Sequence, residues 1–282
     1  MKKKQGICAL TKKSGTFVKS HIIPRALTLL PDNGKKRIEM GIGEGIKHRF
    51  ESWYDDELCS REGEDILAVI DSKGIEILRR HTLVWSGWET GKQFLVDPSE
   101  RDKPVLMKDF DESELKALRL FFISIVWRAG ASKRDEFRDV KLTDEELALL
   151  RQKILDGDPG EISDFPIILH QLTTKGFDHN RTPLLETAHM LGEDYPAVEY
   201  LRIYFDGLVS IVVLPRRLPL HDFFSKMALG AGKTAVIFTR PFEDSRTEDD
   251  IEIMVKTVLK QQYVLNLPKN PINAAIGVLW SK

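Results

Sequence analysis

The chain has 282 residues, 42% of them hydrophobic and 30% charged, which is enough apolar material for one large domain or two modest ones. A net charge of −1 gives by itself no reason to expect a nucleic-acid partner, and two cysteines in this length exclude a disulfide-built framework. No apolar run is long enough to span a bilayer, and no apolar core follows Met1-Lys2-Lys3-Lys4-Gln5 as it would in a signal peptide; the expectation is a cytoplasmic protein with no membrane partner.

The charge is unevenly spread. Residues 1 to 50 hold twelve Lys or Arg against three acids, a local excess of +9, so the remainder carries −10. Residues 5 to 24 read as a hairpin with Lys13-Ser14-Gly15 at its turn and Thr16-Phe17-Val18 in a strand. Ala26 to Glu51 is polar and glycine-rich and reads as an inserted loop containing Lys35-Lys36-Arg37. A helix follows over Glu62 to Arg80, where Ile66, Val69, Ile70, Ile77 and Leu78 share a side, Gly74 is a weak point, and Arg79-Arg80 suit the C-terminal end.

Within this stretch, Cys8-Ala9-Leu10-Thr11 precedes the strand, which ends in Ser20-His21-Ile22-Ile23-Pro24; Leu58-Cys59-Ser60-Arg61-Glu62 then opens the helix. These motifs resemble the HNH or His-Me finger endonucleases, in particular bacterial proteins of the Ser-His-Ile-Ile-Pro type. The resemblance implies an N-terminal ββα-metal, treble-clef-like finger over residues 1–98. It implies His21 as the general base and Glu62, Glu64 and Asp65 as carboxylates near a Mg²⁺ or Mn²⁺ ion that neutralises charge on a scissile phosphate. Gly63 stands where the family commonly has His or Glu. Many relatives close a zinc site with Cys-x-x-Cys at both ends, whereas here Cys8 and Cys59 are the two thiols left of four. Two alternatives stay open: a residual site of Cys8 and Cys59 completed by Glu62 or a histidine, or a zinc-free finger held by packing, which is the expectation.

Trp85-Ser86-Gly87-Trp88 and the charged segment to Pro104 mark a boundary, after which 99–282 reads as a larger α+β domain of unassigned role. Asp111 with Glu114 forms a capping-box pattern ahead of Leu115, Leu118, Phe122, Ile125, Val126 and Ala129, and Phe121, Ile123 and Trp127 widen the stripe into a buried helix. Trp127-Arg128-Ala129 extends the resemblance without suggesting a role. Thr143 caps a second helix, closed by Gly157 and Pro159. Strands follow at Phe165 to Thr173, at Tyr200 to Leu214 as a hairpin about Asp206-Gly207, and at Thr234 to Phe238; His221 to Ala228 reads as a short helix, and another helix starts at Thr247 and reaches about Gln262. That order is α+β, with an antiparallel hairpin, rather than a repeating βαβ. Gly230-Ala231-Gly232-Lys233-Thr234 is not a phosphate-binding loop: Met227 occupies the position of its first glycine, and strand and helix come in the reverse order.

The function expected from these features is a metal-dependent endonuclease acting on DNA, with antiphage defence as its setting and a protein activator as a partner. Lys12, Lys13, Lys19, Arg25, Lys35, Lys36 and Arg37 would contact phosphates. The alternative is a finger without catalysis, used for nucleic-acid binding or assembly.

Overall fold

The computed structural model describes residues 4–28, 37–40, 47–49, 53–95, 104–176, 180–216, 220–250, 252–253 and 256. Strands β1 (Gln5–Ile7) and β2 (Ser14–His21) form an antiparallel hairpin. Its turn lies at residues 8–13, not at Lys13-Ser14-Gly15, because Cys8 N donates to Lys13 O and Lys12 N to Cys8 O, both at 2.9 Å, with Lys12 at φ 60°. Strands β3 (Arg37–Met40) and β4 (Lys47–Arg49) pair antiparallel, so part of the expected inserted loop is paired strand. Strand β5 (Tyr54–Ser60) pairs with β2 and completes a three-stranded antiparallel sheet in the order β1-β2-β5.

Helix α1 (Arg61–Arg80) leaves β5 without a loop and buries Leu67, Ile70, Ile77 and Leu78, as its period predicts; Val69, placed on that side by the sequence, is exposed. Gly74 faces the ring of Phe121, and a Cβ there would lie 2.5 Å from ring carbons, so the glycine is the close-approach point of two helices. Strand β6 (Val105–Asp109) leads into α2 (Glu112–Ala131), whose Asp111–Glu114 capping box is formed in both directions. Helix α2 buries residues around its whole circumference because α1 and α3 (Asp144–Asp156) and the large sheet all pack on it. Thr143 and Glu146 form a second capping box, and Gly157 ends α3 at φ 67°.

The chain then runs β7 (Ile167–Leu172), β8 (Asn180–Arg181), β9 (Leu184–Ala188), β10 (Val198–Phe205), β11 (Leu208–Leu214), α4 (Asp222–Met227) and β12 (Thr234–Arg240). A six-stranded mixed sheet has the order β6-β12-β7-β11-β10-β9, with one parallel pair, β12 beside β7. Strand β3 also pairs parallel with β8. Asp206 and Gly207, at φ 48° and 78°, make the tight β10–β11 turn that the sequence signals. Leu201, Ile203, Phe205, Leu208 and Val212 join the core beneath α2, while Tyr200, Ile211, Val213 and Phe224 of α4 form a smaller cluster on the opposite face. Strands covered on both faces read as near-continuous apolar runs; β11 does apart from Ser210, whereas β10 is interrupted by Glu199 and Arg202, which pair with Arg216 and Glu186.

One core cluster extends from Cys8 to Ile237. By contacts the chain divides into residues 1–242 and 243–282, so the boundary read near residue 98 falls inside the first unit. The Trp85-Ser86-Gly87-Trp88 segment is not a linker: Trp85 N donates to Asp206 O at 2.9 Å and Ser86 N to Asp206 Oδ2 at 3.1 Å, holding the segment on the hairpin turn. In the second unit residues 246–250 are helical, consistent with the helix read from Thr247. Among the described residues no helix is long and apolar enough to cross a membrane.

Candidate functional site

The site read from the sequence sits where β2 ends, β5 begins and α1 starts. Val18 stands opposite Cys59, and after a register shift Ser20 faces Asp55 and His21 faces Tyr54. Because α1 follows β5 directly, residue 59 and the first helical turn share one corner with the 8–13 turn. Ala9 N donates to Leu58 O at 2.9 Å and fixes that turn against β5.

Cys8 and Cys59 are both wholly buried and reduced. Thr11 N donates to Cys8 Sγ at 3.4 Å. The neighbouring Cys59 thiol lowers Cys8, while Cys8 and burial together raise Cys59. Gly63, on the first turn of α1, faces both sulfurs: a Cβ there would lie 2.7 Å from Cys8 Sγ and 3.6 Å from Cys59 Sγ. The position read as a missing ligand is therefore the gap into which the sulfur fits.

The three expected metal carboxylates are engaged separately. Glu62 is exposed and pairs with Lys13 at 2.6 Å. Asp65 is also exposed and faces Arg61 at 3.8 Å. Glu64 turns inward, where its Oε2 accepts from the buried Ser20 hydroxyl at 2.6 Å. Burial lifts the Glu64 carboxyl above its ordinary range, and the Ser20 hydrogen bond and Arg128 act in the opposite direction. Among the described residues no group of three or more His, Cys, Asp or Glu is placed to hold a metal ion.

His21 is half-buried with its Nε2 shielded from solvent, and its ring lies 6.0 Å from that of Tyr54. Its carbonyl accepts from Arg128 Nη1 at 2.9 Å. Arg128, wholly buried on α2, also grips Asp71 of α1 through Nη1 at 2.9 Å and Nη2 at 2.7 Å. Its Nε donates to Ser124 O at 3.2 Å and Nη2 to Ser124 Oγ at 3.0 Å, so all five N–H groups of the guanidinium are used. Neither Arg128 nor Asp71 received a role from the sequence. The available signal was the one charge in the otherwise uncharged second half of the helix, residues 120–131.

Of the expected phosphate contacts, Lys12, Lys13, Lys19 and Arg25 are exposed on the 8–13 turn, on β2 and just beyond it. Lys19 Nζ lies 4.3 Å over the Tyr54 ring. Arg37 lies in β3, and Lys35 and Lys36 lie outside the described residues. Comparison of the chain with protein-family models, with curated proteins and with solved structures finds no match to any of them.

Proposed function

We propose that this chain is a nucleic-acid-binding protein built on a treble-clef-like finger, formed by the 8–13 turn, β2, β5 and α1, in which internal contacts occupy the groups that would otherwise serve a catalytic cation. The observation that carries this reading is Arg128. A guanidinium with every donor engaged is held against the α1 carboxylate Asp71 and the backbone of His21 at the strand end. A positive charge is thus built into the protein beside the strand end that carries His21, while the three expected ligand carboxylates pair with Lys13, Ser20 and Arg61. The buried thiols of Cys8 and Cys59 pack into the gap that Gly63 leaves and so close the finger. The exposed Lys12, Lys19 and Arg25 supply phosphate contacts on a segment with an excess of positive charge.

A second reading, the metal-dependent endonuclease, is supported by the Ser20–Glu64 hydrogen bond, which fastens an acidic side chain of α1 to the residue preceding His21. One experiment separates the two. Labelled duplex and single-stranded DNA are titrated with protein at low salt, and the same samples are incubated with Mg²⁺ or Mn²⁺ beside His21→Ala and a chelator control. Retention of DNA without cleavage supports the binding reading. Cleavage lost in both controls replaces it with the nuclease, and no retention at low salt removes both.

A further inference from the structure

Two buried thiols from two separate segments of the chain, a turn near the N-terminus and the junction of β5 with α1, line the same gap: a Cβ on Gly63 would lie 2.7 Å from Cys8 Sγ and 3.6 Å from Cys59 Sγ. Five features favour a bond between them. The Ala9–Leu58 hydrogen bond holds the two backbones in register beside the sulfurs. Both sulfurs abut the same glycine, so no side chain separates them. The Thr11 amide directs its N–H at Cys8 Sγ, which stabilises a thiolate there. The Cys8 amide donates to Lys13 O at 2.9 Å and fixes the turn that presents its sulfur. Both residues are wholly buried, so an oxidant reaches them through local opening, and a molecule as small as hydrogen peroxide needs far less opening than oxidised glutathione.

We propose that Cys8 and Cys59 are a reversible redox-modification site, closed to an intramolecular disulfide by a small peroxide. The Cys8 thiolate attacks one oxygen of hydrogen peroxide; the O–O bond breaks, the second oxygen takes a proton and leaves as water, and Cys8 becomes a sulfenic acid. Cys59 gives up its proton and attacks the Cys8 sulfur; the S–O bond breaks, and the hydroxyl takes a proton and leaves as a second water. Two thiols and one peroxide thus become one disulfide and two waters, the two electrons passing from the sulfurs to the peroxide. A thiol reductant such as dithiothreitol reverses the change. The bond ties the 8–13 turn covalently to the start of α1, closing a loop that runs through the whole β2–β5 region.

The test treats the native, full-length protein with substoichiometric to equimolar hydrogen peroxide, counts free thiols after denaturation, and maps peptides without reduction. The expected result is the loss of both thiols together and of two hydrogens in mass, a peptide joining Cys8 to Cys59, a raised melting temperature, and full return with dithiothreitol. Oxidised glutathione should act much more slowly on the native protein than peroxide does. Cys59→Ser, checked for fold by circular dichroism, should stop at a sulfenic acid trapped by dimedone on Cys8. Oxidation to sulfinic acid without a cross-link, dimers joined between chains, or unchanged thiols at equimolar peroxide would each overturn the proposal. So would purification of the protein with one metal ion per chain held by both thiols.

Discussion

Arg128 on α2 and Asp71 on α1 meet through two parallel N–H···O bonds of 2.9 and 2.7 Å, with the arginine side chain wholly inaccessible to solvent. A desolvated guanidinium is tolerable only when every donor is matched, and here Ser124 and the His21 carbonyl take the other three. Arg128→Met should therefore cost about 3–5 kcal/mol by leaving Asp71 uncompensated. Pairing it with Asp71→Leu should return most of that loss. Urea denaturation of both variants decides it, and a double variant no more stable than the single would show that the pair is not the unit that matters.

Gly74 makes the opposite prediction to helix propensity. An exposed helical glycine replaced by alanine gains about 1 kcal/mol, but a Cβ here would meet the Phe121 ring at 2.5 Å. Gly74→Ala should destabilise by about 1–3 kcal/mol as an overpacked contact. A stabilised variant in thermal unfolding would mean that α1 and α2 have room to separate.

The sulfur gap at Gly63 is open to a double-mutant cycle. Gly63→Ala should cost about 1–3 kcal/mol in a background containing Cys8. In the Cys8→Ala background the cost should fall markedly, because the clashing atom is gone. Equal costs in both backgrounds would place the strain elsewhere.

Glu64 has a folded-state pKa raised above its value of 4.5 in the unfolded chain, chiefly by burial. Its protonated form is therefore favoured by folding, and stability falls as pH rises from the unfolded value through the folded one. Above that window the penalty is complete. Glu64→Gln, which keeps an acceptor for Ser20, should flatten this part of the stability profile and be the more stable protein at neutral pH. A wild-type profile that rises through the same window, with no difference in the variant, would contradict the assignment.

Phosphate contact by the basic face has a specific salt signature. Lys19→Ala and Arg25→Ala should each weaken DNA binding similarly across sequences and reduce the salt slope by about one. Lys13→Ala should do less, since Lys13 already pairs with Glu62 at 2.6 Å. Anisotropy titrations at several salt concentrations would measure all three, and an unchanged slope for Lys19→Ala and Arg25→Ala would remove this face from the interface.

The sequence makes the local features legible. The capping boxes at Asp111 and Thr143, the glycine stop at Gly157 and the Asp206-Gly207 hairpin all involve neighbours within a few residues, and all formed as read. Strands β6 and β9 went unread because each is five residues long and only weakly patterned. Contacts between distant segments were harder still. Gly63 and Gly74 read as defects, one in a ligand pattern and one in a helix, until Cys8 and Phe121 appear beside them. His21 stood out through its motif, yet the charge that shapes its surroundings lies 107 residues further on, in Arg128.

The order of strands in the large sheet also constrains how the molecule can be made. Strand β6 bonds along β12, whose residues leave the ribosome more than a hundred positions later, and β7 likewise waits for β12 to arrive on its other side. Five strands of that sheet come from residues 167–240, while its edge strand β6 is supplied from before α2. A nascent chain halted before β12 would therefore hold α1 and α2 already extruded with a strand still unpaired at the sheet margin. Closure of the sheet is a late event in synthesis, and truncations ending before residue 234 should populate aggregation-prone species that the full chain does not.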